Sequence, residues 1–338
     1  MTPATTEVRT ATATTTAKKV LDTRSAPGRH WVGDGFPVHG LFGYNGAGVA
    51  ERSPFLMLDY AAPTRFEPNS GYRRGVGQHP HRGFESVTIV YDGEVEHRDS
   101  TGAGGVIGKG DVQWMTAGGG IIHEEFHSEA FSKTGGPFEM VQLWVNLPAR
   151  DKMTPAHYQG ITDASIPSVA LPDGAGRVRV IAGEFDGNKG PAETYTPMNV
   201  WDLRLTAGKP VDLAQPEGWS TLVVVLDGTV LLNGDTVLRA ADMATLSSAG
   251  SGVTHPGSPN RVLKYRFFFQ PPRPCRRMRR PNARLTAASS GILFTKSPPT
   301  NTTSMSRSFA KTVASSAAGT CIASNSHSGQ RSWRFAPQ

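Results

Sequence analysis

The chain has 338 residues, a length that fits two modules of about 150 residues each. It contains no apolar run near the roughly 18 residues of a membrane helix, so we expect no membrane span. The formal net charge is +7, but 11 of the 35 Lys and Arg residues follow position 270, where Asp and Glu are absent. Residues 1 to 270 therefore combine 24 basic with 28 acidic side chains, and this net charge of −4 argues against direct nucleic-acid binding by the body of the protein.

The first 27 residues differ in composition from the rest of the chain. They are rich in Thr and Ala and have no continuous apolar stretch, which predicts a disordered arm over residues 1 to 27. A transit peptide is the other interpretation, although Glu7 and Asp22 interrupt it.

The first strand signal follows two closely spaced histidines. Residues 84 to 91 are rich in β-branched and aromatic side chains, which predicts a strand, and the Asp-Gly pair after it predicts a tight hairpin turn. His79 and His81 are two positions apart, so in an extended segment both imidazoles project from one face. Pro80 cannot donate to a sheet, which predicts a strand end or edge. His97, in the returning strand, is placed on the solvated face.

A second pair of candidate ligands lies in GGGIIHEEFHSE, residues 118 to 129. His123 and Glu125 have the same spacing of two, so they share a strand face, and His127 shares it as a rival ligand. Together the two pairs suggest three imidazoles and one carboxylate around a divalent metal. Such a site contains the two-His-one-carboxylate set of non-haem iron oxygenases. The alternative is a barrel mouth lined by polar side chains without an ion.

Three segments, HPHRGFE, GDVQWMTAG and LWVNLP, resemble the pirin family, a branch of the cupins, and the resemblance spans roughly residues 20 to 265. It implies an all-β fold with two cupin barrels (double-stranded β-helix or jelly-roll) in one chain. It also implies that one divalent metal, Fe(II) in most members, is held by His79, His81, His123 and Glu125. The residue types themselves equally permit Mn, Ni, Cu or Zn.

Several pirins resemble quercetin 2,3-dioxygenases in activity. The resemblance therefore implies a metal-dependent dioxygenase that opens the flavonol ring of a quercetin-like substrate with dioxygen, with Glu125 as both metal ligand and catalytic base. The alternative is a metal-dependent regulatory protein that binds a protein partner without catalysis, which the charge of the body permits.

An internal echo predicts a duplicated barrel. TIVYDGEVEH and VVVLDGTVLL are strand-rich runs broken by Asp-Gly, 135 residues apart. We expect a metal-binding barrel at 28 to 150, a linker at 151 to 174 and a second barrel at 175 to 268. The positions that correspond to the four candidate ligands carry other residues, which are Ala214, Pro216, Thr254 and Pro256. The second barrel is therefore expected to lack a metal site.

The basic end, residues 269 to 338, fits the family least. Pirins usually continue here with a segment resembling GPFVMNT and an acidic helix, and neither is present. A coding-frame shift near residue 264 explains this; the alternative is a natural disordered tail that binds an acidic partner. Both cysteines, Cys275 and Cys321, lie in this end, so the body has no thiol ligand or disulfide. That agrees with a reducing compartment, and we expect a cytoplasmic protein.

Overall fold

The computed structural model describes residues 16 to 255 and, for the backbone only, residues 263 to 270. Two short α-helices occur in this part of the chain, α1 (Val49–Arg52) and α2 (Glu129–Thr134). Three 3-10 turns span Ala149–Asp151, Asp163–Ser165 and Pro172–Gly174. No helix in the described part of the chain has the length and apolar character needed to span a membrane.

Strands make up most of the described chain. In the first half they are β1 (Val20–Arg24), β2 (His30–Val32), β3 (Phe36–Phe42), β4 (Phe55–Phe66), β5 (Gly75–His81), β6 (Phe84–Asp92), β7 (Val95–Asp99), β8 (Gly104–Ile107), β9 (Val112–Thr116), β10 (Ile121–His127), β11 (Gly136–Asn146) and β12 (His157–Ile161). In the second half they are β13 (Ser168–Ala170), β14 (Gly176–Ala182), β15 (Glu184–Phe185), β16 (Asn188–Lys189), β17 (Asn199–Leu205), β18 (Val211–Ala214), β19 (Ser220–Asp227), β20 (Thr229–Leu232), β21 (Thr236–Arg239), β22 (Met243–Leu246), β23 (Gly252–His255) and β24 (Leu263–Gln270).

Two antiparallel sheets form the first barrel. One has seven strands in the order β12-β9-β6-β11-β4-β3-β2, and the other has four in the order β5-β10-β7-β8. The second barrel is built on a seven-stranded sheet, β1-β22-β19-β24-β17-β14-β13, with the strand pairs β18-β23 and β20-β21. The predicted all-β fold with two barrels in one chain is therefore confirmed.

The two large sheets pack on each other through strands that are buried on both faces. Along β6, Val87 and Ile89 belong to an apolar core that also contains Leu222 and Val224 of β19. The intervening residues of β6, among them Thr88, face the interior of the first barrel. Because both faces are covered, β6 is buried continuously from Phe84 to Tyr91 instead of alternating between buried and exposed residues.

The predicted hairpin at Asp92-Gly93 is wrong. β6 pairs with β9 and β11, whereas β7 pairs with β8 and β10, so the chain crosses here from one sheet to the other. Gly93 has a φ of 83°, and a Cβ there would lie 2.6 Å from the Phe138 ring. Gly228, with a φ of 82°, turns the same corner between β19 and β20. The echo in the sequence thus marks a corner that is repeated in both barrels.

The ends of the predicted segments differ from the observed strands. Residues 20 to 24 lie in the predicted disordered arm, and for them that prediction is wrong, because they pair with β22 as an edge strand of the second barrel. β12 lies in the predicted linker but pairs with β9 of the first barrel. The sequence does not reveal β1 because most of its side chains are exposed and show no apolar alternation. The basic end beyond 270, with both cysteines, lies outside the described residues.

A buried cation connects the two barrels. Arg179 of β14 is 4% exposed, and its Nη1 donates to Asp202 of β17 at 2.8 Å. Its Nη2 donates to the Gly110 carbonyl, in the turn before β9, and to Asp163. The Tyr91 hydroxyl of β6 also donates to Asp202, at 3.4 Å. One guanidinium therefore joins side chains and backbone from both halves of the chain.

Arg179→Gln is expected to lower the free energy of unfolding by about 3–5 kcal/mol, because it removes the buried charge that faces the Asp202 carboxylate. Urea unfolding followed by tryptophan fluorescence measures this. Lys133→Gln is the matched control, since its ion pair with Glu129 is exposed and should contribute nothing measurable. Equal midpoints for Arg179→Gln and the wild type would contradict the prediction.

Candidate metal centre

Pairing of β5 with β10 brings three of the predicted ligands together. β5 is an edge strand, as Pro80 predicts, and its His79 lies opposite His123. The ring centroid of His123 is 4.3 Å from that of His79 and 4.7 Å from that of His81. Each ring offers one nitrogen such that the three nitrogens lie within 4.8 Å of one another. The spacing of two within each strand has therefore produced a compact cluster of imidazoles.

The nitrogens of this cluster are suited to binding an ion. Nδ1 of His79 lies 2.8 Å from the Gly77 carbonyl, so Nδ1 carries the proton and Nε2 carries the lone pair. Nε2 of His123 is buried and has no hydrogen-bond partner among the described residues. A buried polar atom without a partner is costly, and a metal ion would satisfy it.

Burial keeps two of these imidazoles neutral. It lowers the pKa of His81 to about 3, assisted by the nearby His123 and His79. It lowers the pKa of His123 to about 2, assisted by His79 and His97. A neutral imidazole is the form that binds metals, so neither ring has to lose a proton at neutral pH.

Glu125 is buried and held by three hydrogen bonds. Its Oε1 accepts from the Thr88 hydroxyl at 3.3 Å and from Gln113 Nε2 at 2.9 Å, and its Oε2 accepts from Gln142 Nε2 at 3.0 Å. A carboxylate oxygen offers two lone pairs, so Oε1 is saturated and Oε2 keeps one. Glu125 also shares a second set of possible metal ligands with His97 and His123, again within 4.8 Å.

His97 was predicted to lie on a solvated face, and this prediction is wrong. His97 is fully buried and lies opposite Glu125 in the pairing of β7 with β10. Its Nε2 is 2.9 Å from Asp99 Oδ2, and its ring stacks on Tyr158 at 4.9 Å. The sequence carried only a weak signal for this burial, which is that His97 and Asp99 point to the same side of the strand as the apolar Val95.

His127, the rival ligand, lies outside both clusters. It is buried in an aromatic group, stacked on Phe138 at 4.9 Å and edge-on to Phe66 at 4.6 Å. Its Nε2 lies 3.0 Å from the Gly35 carbonyl. Although it shares a face of β10 with His123 and Glu125, it sits further along the strand, where the barrel interior is apolar. We interpret His127 as a core residue.

Glu85, the last residue of HPHRGFE, is buried on the opposite face of β6 from Thr88. Its Oε1 accepts from Trp114 Nε1 at 3.1 Å and from Thr116 Oγ1 at 2.9 Å, and its buried Oε2 has no hydrogen-bond partner among the described residues. Burial raises the pKa of Glu85 to about 7 against the lowering effect of these hydrogen bonds. Its position between the barrels separates it from the histidine cluster.

Comparison with known proteins identifies the family. The pirin profile matches residues 35 to 145. A protein of Pseudomonas aeruginosa, provisionally named a quercetin 2,3-dioxygenase, is 61% identical over 229 residues, which are 68% of this chain and 79% of that protein. The chain belongs to the pirin family. Pirin-1 of Arabidopsis thaliana is 41% identical to this pirin over 175 residues, 52% of this chain and 56% of that protein.

Solved structures agree with this assignment. A crystal structure named quercetin 2,3-dioxygenase from Acinetobacter baumannii matches this pirin with a TM-score of 0.73 and 50% identity, over 76% of this chain and 88% of that chain. The Escherichia coli pirin YhhW, solved with nickel(II), matches with a TM-score of 0.56 over 74% and 99% of the two chains. At 19% identity, the second comparison shows the fold alone. Both barrels are thus of the cupin type predicted from the sequence.

The raised pKa of Glu85 predicts a pH-dependent stability. A carboxyl group whose pKa is raised in the folded state stabilises the fold fully below its ordinary pKa of 4.5, and this contribution is lost as the pH rises through about 7. Between pH 5 and pH 8, the free energy of unfolding of the wild type should therefore fall by about 2 to 3 kcal/mol relative to Glu85→Gln.

Urea unfolding at the two pH values measures this difference, and histidine titrations common to both proteins cancel in it. Glu129→Gln, at an exposed carboxylate, is the control and should follow the wild type at both pH values. A constant difference between Glu85→Gln and the wild type would show that Glu85 is ionised throughout.

Proposed function

We propose that this pirin is a metal-dependent dioxygenase for flavonol-type substrates, with the ion held by His79, His81, His123 and Glu125. The observation that carries the proposal is the partnerless, buried Nε2 of His123 within a cluster of three imidazoles. The relatives named quercetin 2,3-dioxygenase support the substrate class.

Fe(II) is the metal that the family resemblance implies, and the donor set accepts it. Three neutral imidazoles and one carboxylate would leave a divalent ion with a net charge near +1 and with open positions, as in the non-haem iron oxygenases. The same nitrogen and oxygen donors accept Mn, Ni, Cu or Zn. When bound, the ion supplies Lewis acidity that stabilises the enolate of the substrate and orients dioxygen.

Glu125 is the base in this proposal. Because Oε1 is saturated by Thr88 and Gln113, Glu125 has one free lone pair, on Oε2. This lone pair would help to hold the ion in the absence of substrate, and it would take up the proton of a substrate 3-hydroxyl whose oxygen replaces it there. The three hydrogen-bond donors hold the carboxylate in place before the substrate arrives, so little reorganisation is needed at the moment of proton transfer.

An aromatic wall beside the cluster suits a flat substrate. The His81 ring lies 5.0 Å from Phe84 and 5.2 Å from Trp144. Tyr44 stacks on Trp144 with an interplanar angle of 7°. Nε1 of Trp144 is buried and has no hydrogen-bond partner in the described part of the chain, so it is available to a polar group of a ligand. Apolar and aromatic lining with a few polar groups is typical of small-molecule sites.

His79→Ala is expected to abolish stoichiometric metal binding, because it removes one of three imidazoles. Both proteins are loaded anaerobically with Fe(II), desalted and analysed by inductively coupled plasma mass spectrometry. The wild type should contain about one iron ion per chain, and His79→Ala should contain a small fraction of that amount. His157→Ala is the control, since His157 lies in β12 outside both candidate clusters. Undiminished metal in His79→Ala would remove His79 from the site.

Oxygen uptake tests the chemistry. Iron-loaded wild type should consume dioxygen with a flavonol, and Glu125→Gln should lose about 10² to 10⁴ in turnover, because general base catalysis contributes that much. The variant keeps an amide oxygen as a ligand, so its metal content is measured in parallel. If the loaded wild type consumes no oxygen with any flavonol or catechol and instead retains a stable protein partner, the protein is the metal-dependent regulator.

A further inference from the structure

We propose that Asp99 and His97 are positioning residues, which fix the proton of His123 on Nδ1 through a chain of hydrogen bonds so that Nε2 presents its lone pair to the metal. The inference rests on the proposed metal centre and adds two residues to it. Neither Asp99 nor His97 belongs to the four candidate ligands, and the sequence pattern did not predict a role for them in the site.

The chain begins at Asp99, whose side chain is fully buried. Its Oδ1 accepts from the Thr101 backbone N–H at 2.8 Å and from the Thr101 hydroxyl at 2.6 Å. Its Oδ2 lies 2.9 Å from Nε2 of His97. Because a carboxylate has no proton to give, Nε2 of His97 is the donor.

The second link follows from the first. A neutral His97 with its proton on Nε2 has its lone pair on Nδ1, which lies 3.2 Å from Nδ1 of His123. His123 must therefore donate from Nδ1, which leaves its Nε2 without a proton. This is the same buried nitrogen that has no hydrogen-bond partner among the described residues. For a neutral His97, the direction of each hydrogen bond is fixed by the one before it.

Packing holds the three side chains in this order. In the pairing of β7 with β10, Asp99 lies opposite His123 and His97 lies opposite Glu125. The ring of Tyr158 stacks on His97 with an interplanar angle of 19°. Metal-binding histidines commonly donate their other N–H to a carboxylate, which fixes the tautomer. Here an imidazole is inserted between the ligand and the carboxylate.

Asp99→Asn should reverse the whole chain. The Thr101 backbone N–H can only donate, so the side-chain amide of the introduced asparagine must direct its oxygen towards Thr101. Its NH₂ group then faces His97. His97 then accepts at Nε2 and carries its proton on Nδ1, and it donates to His123. The proton of His123 moves to Nε2, the atom that should bind the metal. We expect metal affinity to fall by about 10- to 100-fold.

A matched pair at position 97 separates the relay from simple packing. His97→Phe keeps a ring on Tyr158 but removes both hydrogen bonds, and it should weaken metal binding. His97→Gln can donate its amide N–H to Asp99 and accept from His123 with its amide oxygen, so its affinity should stay close to that of the wild type. A purely structural role would affect both variants, or neither.

The measurements are made on the metal-free and the Zn(II)-titrated full chain. Nitrogen NMR of ¹⁵N-histidine-labelled protein reports the tautomer, with the His123 signals assigned by their absence in His123→Gln. We expect Nδ1–H in the wild type and Nε2–H in Asp99→Asn, together with weaker Zn(II) binding in competition with a chelator. Circular dichroism and cooperative unfolding confirm that each variant is folded. If Asp99→Asn does not fold, His97→Phe and His97→Gln test the inference instead.

Two results would overturn the inference. One is Nε2–H at His123 in the metal-free wild type. The other is an unchanged tautomer or an unchanged Zn(II) affinity in folded Asp99→Asn and His97→Phe. Failure of the proposed function has a different signature, because a wild type that binds no metal can still show the Nδ1–H tautomer, and one that binds metal can still show no oxygen uptake.

Discussion

The candidate metal centre depends on the register between β5 and β10. His79 lies opposite His123, and the next pairing, Glu125 with Val76, skips one more residue on β5 than on β10. Side chains alternate between the two faces of a strand, so a slip of one residue would turn His79 and His81 away from His123. The register of an edge strand is set by only one neighbouring strand. Here the register shift between His123 and Glu125 determines which residues of β5 pair with β10 on each side of it.

The spacing of two predicted that His79 and His81 share one strand face and that His123 and Glu125 share another, because this spacing has the same meaning in any extended strand. The structure brings the three imidazoles together, whereas Glu125 groups with His123 and His97. The sequence pattern could not predict the Asp92-Gly93 corner, since a left-handed glycine serves a hairpin and a crossing between sheets equally well, and only the packing of distant strands decides. His97 was missed for another reason. Its neighbours in the sequence are charged, and the apolar parity of a single Val95 was too weak a signal beside them.

The duplicated barrels show why the site belongs to the first one. Counted from the two Asp-Gly pairs, Thr88 corresponds to Val223, and counted from Asp111 and Asp242, Gln113 corresponds to Ala244. Thr88 pairs with Gln113 in the first barrel, and Val223 pairs with Ala244 in the second. In the first barrel these positions hold the Glu125 carboxylate, whereas in the second they belong to an apolar core. A buried carboxylate without donors would be costly there. The second barrel therefore differs from the first both at the positions of the candidate ligands and in the side chains that line its interior.

The second barrel also supports the strands of the first barrel that carry hydrogen-bond donors to Glu125. On one face of β6, Thr88 donates a hydrogen bond to Glu125. On the other face, Val87 and Ile89 pack in the core that also contains residues of β19, so the second barrel supports this strand. Arg179 reaches from the second barrel to the Gly110 carbonyl, just before β9, which carries Gln113. Two of the three donors to Glu125 thus stand on strands that the second barrel supports. In the proposed function, the second barrel would therefore support the carboxylate of Glu125, because rigidly placed hydrogen-bond donors limit the rearrangement needed when a proton moves.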